Sequence, residues 1–384
     1  MKKTNVTYGM VGGGLNAFIG AVHRQGIAFD PRAAIAAGCF SRDGEINRET
    51  GKVLKICGDR LYPDYAEMAK EEAERSDGID FVVITTPNYK HYDIAKEFLL
   101  NGINVVCEKP LCFEIGQAEE LKEIAEEKDL LFAVAYAYSG YTMMKFARQL
   151  IMDGEIGDVF NVYGEYLQEW LIDELRPDGE GGAKLLSIWR KDPEYAGISN
   201  CTGDIGTHIE NTVAYMTGLK IRRVSAKVHN FGHPLDLHSN ILVEYENGAS
   251  GLYSSSQVCA GYQNGLSVRI FGTKGAVEWR QEAPDQLQVT YKNRPPQIFQ
   301  RGTGSIYGRA AELKRIPSGH PEGYHIAFAN MYKTYIGAVL KKHNGEPLTD
   351  GDLDFPGVGD GLDGVRFLHA VIKSGSGGSE WVAV

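Results

Sequence analysis

Lys109 is the residue whose position in this sequence most strongly suggests acid–base chemistry. It lies between Glu108 and Pro110, directly after the apolar run 105–107, which predicts the end of a buried strand. Ligands of open α/β sheets bind beside the carboxyl ends of the strands, and partial burial there would lower the pKa of a lysine. We therefore expect Lys109 to act as a base or a hydrogen-bond donor. The alternative is an ordinary surface lysine before a proline turn.

Asp204 and His208 form a second candidate group, because they are four residues apart at the start of an expected helix, 205–217. At that spacing two side chains share one helical face, with Cβ atoms roughly 5–6 Å apart. Gly203 and Gly206 in the same stretch would leave room for a ligand against the backbone. The pair is suited to proton transfer. A helix-capping aspartate beside a core histidine fits the same spacing.

The glycine-rich segment that starts at Gly12 matches a dinucleotide-binding turn. Gly12, Gly14 and Ala17 occupy the small positions of the pattern Gly-x-Gly-x-x-Ala, and the segment follows a predicted strand. The first glycine permits a tight turn, the second lets a pyrophosphate approach the backbone, and the alanine lets the next helix pack closely. The N-terminus of that helix would present free N–H groups to the phosphates. We therefore assign Gly12, Gly14, Leu15 and Asn16 to cofactor binding.

The end of the second predicted strand leaves the choice between NAD and NADP open. An enzyme that uses NAD usually places an acidic residue here, where it binds the ribose 2′-hydroxyl. This chain has Ser41 and Arg42 at that point, with Asp43 one residue further. A hydroxyl and a guanidinium suit the 2′-phosphate of NADP, but Arg42 could equally stack on the adenine or face solvent.

Further cofactor-binding candidates lie at the ends of the third and fourth predicted strands. Thr86 and Asn88 flank Pro87 after the third strand, and Glu108 follows the fourth. Asn88 would cap the next helix and could also touch the cofactor. His91, one turn into that helix, is included as a packing or supporting residue rather than as a catalytic one.

The first third of the chain predicts the parallel sheet that such a site requires. Apolar runs alternate there with charged, helix-periodic stretches, which is typical of βαβ units with helices on both faces of a sheet. The expected strands are 5–11, 33–40, 78–85, 104–107 and 131–135, and the expected helices are 64–74, 91–101 and 115–128.

Beyond residue 137 the pattern changes to that of an α+β domain. We expect a Rossmann dinucleotide-binding domain at 1–137, and a substrate-binding and oligomerisation domain at 138–384 with a large open, mostly antiparallel sheet. The dipeptide Asn247-Gly248 is a strong hairpin signal within it. The expected elements are helix 142–152, strand 159–166, an irregular stretch 168–197, helix 205–217, strands 224–229, 239–245, 249–257, 265–271, 276–280 and 287–291, and helices 324–342 and 359–374.

Composition excludes several classes of protein. The 384 residues, 43% apolar and 23% charged, are typical of one or two globular domains. A net charge of −10 without a stripe of Lys and Arg argues against nucleic acid and anionic membranes as partners. No apolar run approaches the roughly 20 residues of a membrane span, and no signal-peptide cleavage site is present. The six cysteines lack zinc-site spacing, so we expect a cytoplasmic protein with reduced thiols and no metal.

Together, these motifs resemble the glucose–fructose oxidoreductase / inositol dehydrogenase / rhizopine-catabolism family of NAD(P)-dependent oxidoreductases. The resemblance covers essentially the whole chain. It implies that Lys109, Asp204 and His208 form the catalytic group and that Trp189 and Arg190 reach the cofactor. The segment 316–324 resembles one of a subgroup that includes levoglucosan and glucoside 3-dehydrogenases. The motifs that carry the resemblance are the glycine turn, Thr86-Pro87-Asn88, Glu108-Lys109-Pro110, Gly154-Glu155-Ile156-Gly157 and the Asp204/His208 pair.

The resemblance implies reversible hydride transfer between NAD or NADP and a ring secondary alcohol of a sugar, glycoside or inositol, with C3 of a glucoside as one candidate position. His208 is the preferred base for the hydroxyl proton, and Lys109 would polarise the same oxygen or share the proton. The sequence leaves open which of the two residues takes the proton. A large open sheet also predicts a homo-oligomer, either a dimer or a tetramer. The candidate substrate-binding residues are Lys109, Tyr136, Tyr138, Arg190, Asp204, His208, His320 and His325.

Three alternative functions stay open on the sequence alone. The first is an NAD-dependent glycoside hydrolase that works through transient oxidation and elimination. The second is a catalytically silent sugar-sensing regulator, which would usually lack the lysine or the histidine that this chain retains. The third is a metal enzyme built on the pairs His233/His238 and His320/His325, neither of which has a carboxylate at helix-type ligand spacing.

Overall fold

The computed structural model describes residues 2–175 and 192–384, which form two compact units. The first unit comprises Met1–Gly140 and Tyr324–Leu362, and the second comprises Tyr141–Gly323 and Asp363–Val384. The sequence predicted one boundary at residue 137 and assigned everything after it to the second domain. The structure instead groups Tyr324–Leu362 with the first unit, because this segment contributes aromatic side chains to the core of that unit.

The first unit is built on a parallel five-stranded sheet, as the sequence predicted. Its strands are β1 (Val6–Gly12), β2 (Ala33–Cys39), β3 (Phe81–Thr85), β4 (Asn104–Cys107) and β5 (Phe132–Val134). They lie in the order β2-β1-β3-β4-β5, and all neighbouring pairs are parallel. Every residue of β3 is buried, as expected for a strand covered on both faces. The carboxyl ends of the strands therefore form the edge where a ligand would bind.

The second unit contains a nine-stranded, mostly antiparallel sheet. Its strand order is β13-β12-β11-β10-β6-β9-β8-β7-β14, where only the neighbours β6 and β9 are parallel. The sequence did not predict the two edge strands, Gln297–Gln300 and Val382–Ala383. The strands are β6 (Val159–Leu167), β7 (Ile221–His229), β8 (His238–Tyr245), β9 (Ser250–Ser256), β10 (Gly265–Gly272), β11 (Gly275–Arg280), β12 (Gln286–Tyr291), β13 (Gln297–Gln300) and β14 (Val382–Ala383).

The helices agree with the predicted ones to within a few residues, and several unpredicted helices join them. In the expected irregular stretch 168–197, the described residues form a short 3₁₀ turn, Ile172–Leu175, and one short helix, α7. In sequence order the helices are α1 (Phe18–Ala28), α2 (Gly44–Leu54), α3 (Tyr65–Glu74), α4 (His91–Leu100), α5 (Ile115–Glu127), α6 (Thr142–Met152), α7 (Pro193–Ala196), α8 (Thr207–Thr217), α9 (Gly308–Leu313), α10 (Tyr324–His343) and α11 (Val358–Ser376).

Helix α10 completes the core of the first unit. Tyr335 packs edge-on against Phe81 of β3, with ring centroids 5.4 Å apart. Its hydroxyl donates to the carbonyl oxygens of Val105 (3.1 Å) and Leu131 (3.2 Å). These bonds pair a buried phenol with two backbone acceptors at the start of the fourth and fifth strands, which fixes α10 on the sheet.

The sheet of the second unit has one covered and one open face. Val162, Ile241 and Tyr253 are buried on one side, where α8 packs on β6 and β10. On the other side, Leu242 is 51% exposed and Leu252 is 40% exposed. Exposed leucines in neighbouring strands form an apolar surface that is unusual for an isolated sheet. Within the described part of the chain, no helix has both the length and the apolar character that crossing a membrane demands.

Candidate active site

The glycine turn after β1 folds tightly against the end of β3. Gly12 and Gly13 have positive φ angles of 80° and 69°. A Cβ added at Gly12 would lie 2.9 Å from the carbonyl carbon and oxygen of Thr85. A Cβ at Gly20 in α1 would lie 2.3 Å from the Cα of Gly13. Only glycine therefore satisfies both the backbone conformation and the close approach of strand, turn and helix.

Arg24 of α1, which the sequence did not predict as a site residue, contacts this turn. Its guanidinium donates to the carbonyl oxygen of Gly13 and contacts the Sδ atom of Met10 at 3.3 Å. Burial lowers the pKa of Arg24 from its ordinary value. The side chain comes from α1, so no local motif in the turn indicates it.

The turn forms one wall of a cavity of about 650 Å³. This volume is in the range of small-molecule and cofactor sites. Six of the predicted cofactor-binding residues line it, whereas Leu15, Asn88, His91, Glu108 and Lys109 are not part of the lining. Tyr89 and Lys90 directly follow the Thr-Pro-Asn motif, and that position could have identified them. The six predicted residues and these two are Gly12, Gly14, Asn16, Ser41, Arg42, Thr86, Tyr89 and Lys90.

The wall at the end of β2 carries positive charge. Arg42 Nη2 donates to the Tyr89 hydroxyl (3.2 Å), and the Lys90 ammonium lies 5.4 Å from the centroid of the same ring. Asp43, the acid that follows Arg42 in sequence, uses its carboxylate as the N-cap of α2, where it accepts from the backbone N–H groups of Glu45 (2.8 Å) and Ile46 (3.2 Å). Because that carboxylate satisfies the helix start, Arg42 is the charged group of this segment that is available to a ribose 2′ substituent.

His91 ties the end of β3 to the segment that follows Lys109. It is fully buried, with Nδ1 2.8 Å from the carbonyl oxygen of Pro110 and Nε2 2.9 Å from that of Thr86. Burial lowers the pKa of His91. A buried imidazole between two backbone carbonyls suits the supporting role that the sequence predicted.

Glu108 is a buried carboxylate that precedes Lys109 at the end of β4. Its Oε1 lies 2.7 Å from Nε2 of His23, and its Oε2 accepts from the backbone N–H of Lys109 (3.2 Å). The other nitrogen of His23 hydrogen-bonds the hydroxyl of Tyr332. Burial alone would raise the pKa of Glu108, but the hydrogen bond and charge of His23, with the charge of Lys109, outweigh it and lower the pKa. An anion is therefore fixed beside a half-buried Lys109.

In the second unit, Asp204 and His208 lie on one continuous helical segment, as predicted, but its first turn is wider than an α-helix. Thr202–Gly206 forms a π-helical turn and continues into α8. Such turns occur frequently at functional sites. His208 is only 8% exposed, with its ring centroid 6.0 Å from that of Tyr166. Asp204 Oδ2 accepts a hydrogen bond from Gln257 Nε2 (3.0 Å), a partner that the sequence analysis missed.

The predicted substrate-binding residues are distributed over both units. Tyr136 and Tyr138 are buried in the first unit, where Tyr138 contacts the ring of Tyr324 at 6.1 Å and His325 contacts the same ring at 6.4 Å. His320 lies in an exposed loop of the second unit. Trp189 and Arg190 fall outside the described residues. Lys109 belongs to the first unit, and Asp204 and His208 belong to the second.

Two family models match the chain. Residues 6–136 match the oxidoreductase family with an NAD-binding Rossmann fold, and residues 144–278 match the GFO/IDH/MocA C-terminal domain. The chain is 34% identical over 380 residues to the uncharacterized oxidoreductase YfiI of Bacillus subtilis, covering 98% of this chain and 96% of that protein. It is 26% identical over 336 residues to the levoglucosan dehydrogenase of Pseudarthrobacter phenanthrenivorans, covering 79% and 80%.

Solved structures of an inositol dehydrogenase homolog from Azotobacter vinelandii are similar over the full length. The structure complexed with NAD+ has a TM-score of 0.91 at 35% identity and covers 100% of this chain and 98% of that one. The structure complexed with NADH and myo-inositol has a TM-score of 0.89 at 34% identity, with the same coverage. The fold is therefore shared over the full length with a protein solved in complex with NAD+.

The positive wall predicts that Arg42→Ala weakens NADP+ binding much more than NAD+ binding. A charge-assisted hydrogen bond to a phosphate contributes about 1.5–3 kcal/mol, so the Kd for NADP+ should rise roughly 10- to 100-fold. The Kd for NAD+, which lacks the phosphate, should change little, and so should kcat with the preferred cofactor. Calorimetric titration of both cofactors measures this. Arg48→Ala, an exposed arginine of α2 outside the cavity lining, is the control. An equal change for both cofactors would show that Arg42 does not read the 2′ position.

Proposed function

Because the chain belongs to the GFO/IDH/MocA family of NAD-binding oxidoreductases, we propose that it oxidises a ring secondary alcohol of a sugar, glycoside or inositol with NAD or NADP. The observation that carries this proposal is the full-length similarity to a protein solved with NADH and myo-inositol. Levoglucosan dehydrogenase is also a relative, and C3 of a glucoside stays one candidate position, as the sequence resemblance implies. Nothing among the relatives described above supports the alternative of glycoside cleavage.

The residues of the first unit fit a nicotinamide dinucleotide. The glycine turn leaves space that a Cβ would fill, Arg42 and Lys90 supply positive charge, and the cavity has a suitable volume. Gly12, Gly14, Ser41 and Arg42 would hold the phosphate and ribose portions. When bound, the cofactor supplies the hydride acceptor.

Lys109, Asp204 and His208 form the acid–base group of the proposal. His208 takes the proton of the substrate hydroxyl as the carbon–hydrogen bond yields its hydride and the carbonyl forms. Lys109 donates a hydrogen bond to the same oxygen and stabilises the negative charge that develops there. Asp204 orients His208 and balances its positive charge after proton transfer. Glu108, buried beside Lys109, keeps the local charge balanced in the first unit.

The substrate-binding residues of this proposal are those that the sequence predicted. We propose His320 and His325 as hydrogen-bonding partners of the hydroxyls and Tyr136 and Tyr138 as the aromatic wall. We add Trp189 and Arg190 to this set because the family resemblance implies that they reach the cofactor. The buried location of the two tyrosines supports a shaping role for them rather than direct exchange with solvent.

Lys109→Ala and His208→Ala should each lower kcat by at least about 10², the size expected for lost acid–base catalysis. Steady-state reduction of NAD+ at saturating substrate measures the effect. Lys122→Ala, which removes a partly exposed lysine from α5 that pairs with Glu126, is the matched control and should keep wild-type kcat. Wild-type turnover in both active-site variants would contradict the assignment.

The substrate class is tested by a panel of cyclic alcohols offered with NAD+ and with NADP+. We expect reduced nicotinamide absorbance with at least one of myo-inositol, levoglucosan or a methyl glucoside. NMR of the product then identifies the oxidised carbon. Reduction by open-chain alcohols but by none of the ring compounds would contradict the proposed class.

We further propose that the protein acts in the cytoplasm as a homo-oligomer, a dimer or a tetramer. The support is the open sheet face of the second unit, where Leu242 and Leu252 are exposed. Light scattering should give a multiple of the 42.3 kDa chain mass, and Leu242→Glu together with Leu252→Glu should lower it. A single species at the chain mass for the unmodified protein would contradict this.

A further inference from the structure

The π-helical turn that carries Asp204 is anchored by a buried carboxylate, Asp236, in the loop between β7 and β8. Asp236 is 3% exposed. Its Oδ1 accepts from the Ser199 hydroxyl (2.7 Å) and the Asn200 backbone N–H (2.8 Å). Its Oδ2 accepts from both the backbone N–H and the hydroxyl of Thr202, each at 2.7 Å. Four donors satisfy both oxygens, and they hold the chain that leads into the turn at a fixed position.

Two buried amides connect this anchor to Asp204. Asn200 Nδ2 donates to the backbone carbonyl of Asp236 (3.3 Å) and to Gln257 Oε1 (2.7 Å). Gln257 Nε2 then donates to Asp204 Oδ2 (3.0 Å). Asn200 is 3% exposed and Gln257 is fully buried, so water does not compete for these bonds and their loss would be costly.

The direction of this chain of hydrogen bonds is fixed by its first member. The carbonyl oxygen of Asp236 can only accept, so the amide of Asn200 must direct its NH2 group toward it. The same NH2 group donates to the side-chain oxygen of Gln257. Because the oxygen of Gln257 faces Asn200, its NH2 group faces Asp204. If both amides were reversed, two acceptor oxygens would face each other at both ends of the chain, at the Asp236 carbonyl and at the Asp204 carboxylate. The Asp204 oxygen at the end of the chain is thus required to accept.

We propose that Gln257, oriented by Asn200 and Asp236, is a positioning residue that holds Asp204 as an ionised hydrogen-bond acceptor beside the proton-transfer residue His208. This inference rests on the proposed function, in which His208 takes the substrate proton. A hydrogen bond donated to a carboxylate favours its charged form and fixes which oxygen is turned toward the helix. Gln257 does not touch the reacting atoms in this account, and it acts through Asp204 alone.

Among the described residues, a buried thiol also lies close to Asp204. Cys201 interacts electrostatically with Asp204, Asp236 and Cys259, and the phenol ring of Tyr166 lies beside His208. Burial raises the pKa of Cys201 far above its usual range, and the charges of Asp236 and Asp204 raise it further. The thiol therefore stays neutral over the pH range in which a histidine titrates.

The test is Gln257→Met, which keeps the length of the side chain and removes the donor. Without that donor, the ionised form of Asp204 is disfavoured, and the protonated imidazole of His208 loses stabilisation from that carboxylate. The titration midpoint of His208 should fall by about 1 pH unit, the size expected for one hydrogen bond to a charged group. Histidine-selective ¹³C NMR of the full chain measures the midpoint without substrate, and His208→Asn assigns the signal. The acid limb of kcat for NAD+ reduction should shift in the same direction.

Gln281→Met is the matched control, because Gln281 belongs to the same unit and takes no part in this chain of bonds. It should leave the His208 midpoint unchanged. Asn200→Ala, which removes only the orienting amide, should lower the midpoint by a smaller amount and serves if Gln257→Met does not fold. An unchanged or raised midpoint in a folded variant would overturn the inference. Wild-type turnover in His208→Ala would instead overturn the proposed function, while the titration result would still stand.

Discussion

The close approach of backbone at Gly12 is the constraint on which the nucleotide site depends. A side chain at this position would collide with the backbone of Thr85, and the strand, the turn and α1 could no longer meet as they do. The same approach places the N-terminal end of α1 at the carboxyl edge of the sheet, where free N–H groups favour phosphates. Arg24 holds the turn from the opposite side through the carbonyl oxygen of Gly13. The nucleotide site therefore requires a residue without a side chain at position 12.

Buried carboxylates organise the candidate acid–base residues in both units. Glu108 is held by His23 and stands beside Lys109. Asp236 is held by four donors and fixes the turn that carries Asp204. In each unit, hydrogen bonds to both oxygens of a buried carboxylate offset the free-energy penalty of its burial. The hydrogen-bonded carboxylate in turn fixes the position of the neighbouring functional residue. Such rigidity is what acid–base catalysis requires, since a small displacement of a proton-transfer group lowers the rate strongly.

Much of the fold could be predicted from the sequence, because it follows from local patterns. Apolar runs gave the five parallel strands, and three small residues identified the nucleotide turn. The assignment of α10 could not be predicted, since its apolar character shows that it is buried but not which sheet covers it. The supporting residues were missed for a similar reason. Gln257 meets Asp204 across 53 positions of sequence, and His23 meets Glu108 across 85, and no local spacing signals such pairs.

In the proposed reaction, a ring carbon of the substrate gives its hydride directly to the cofactor. Ring-deuterated myo-inositol and ring-deuterated levoglucosan are each offered with NAD+, and the reduced cofactor is examined by mass spectrometry. Direct transfer predicts that the cofactor formed with an accepted substrate carries one deuteron and that the product carries a carbonyl at the carbon that lost it. Reduced cofactor without deuterium, or a product that has lost deuterium to solvent while the cofactor stays oxidised, would contradict it.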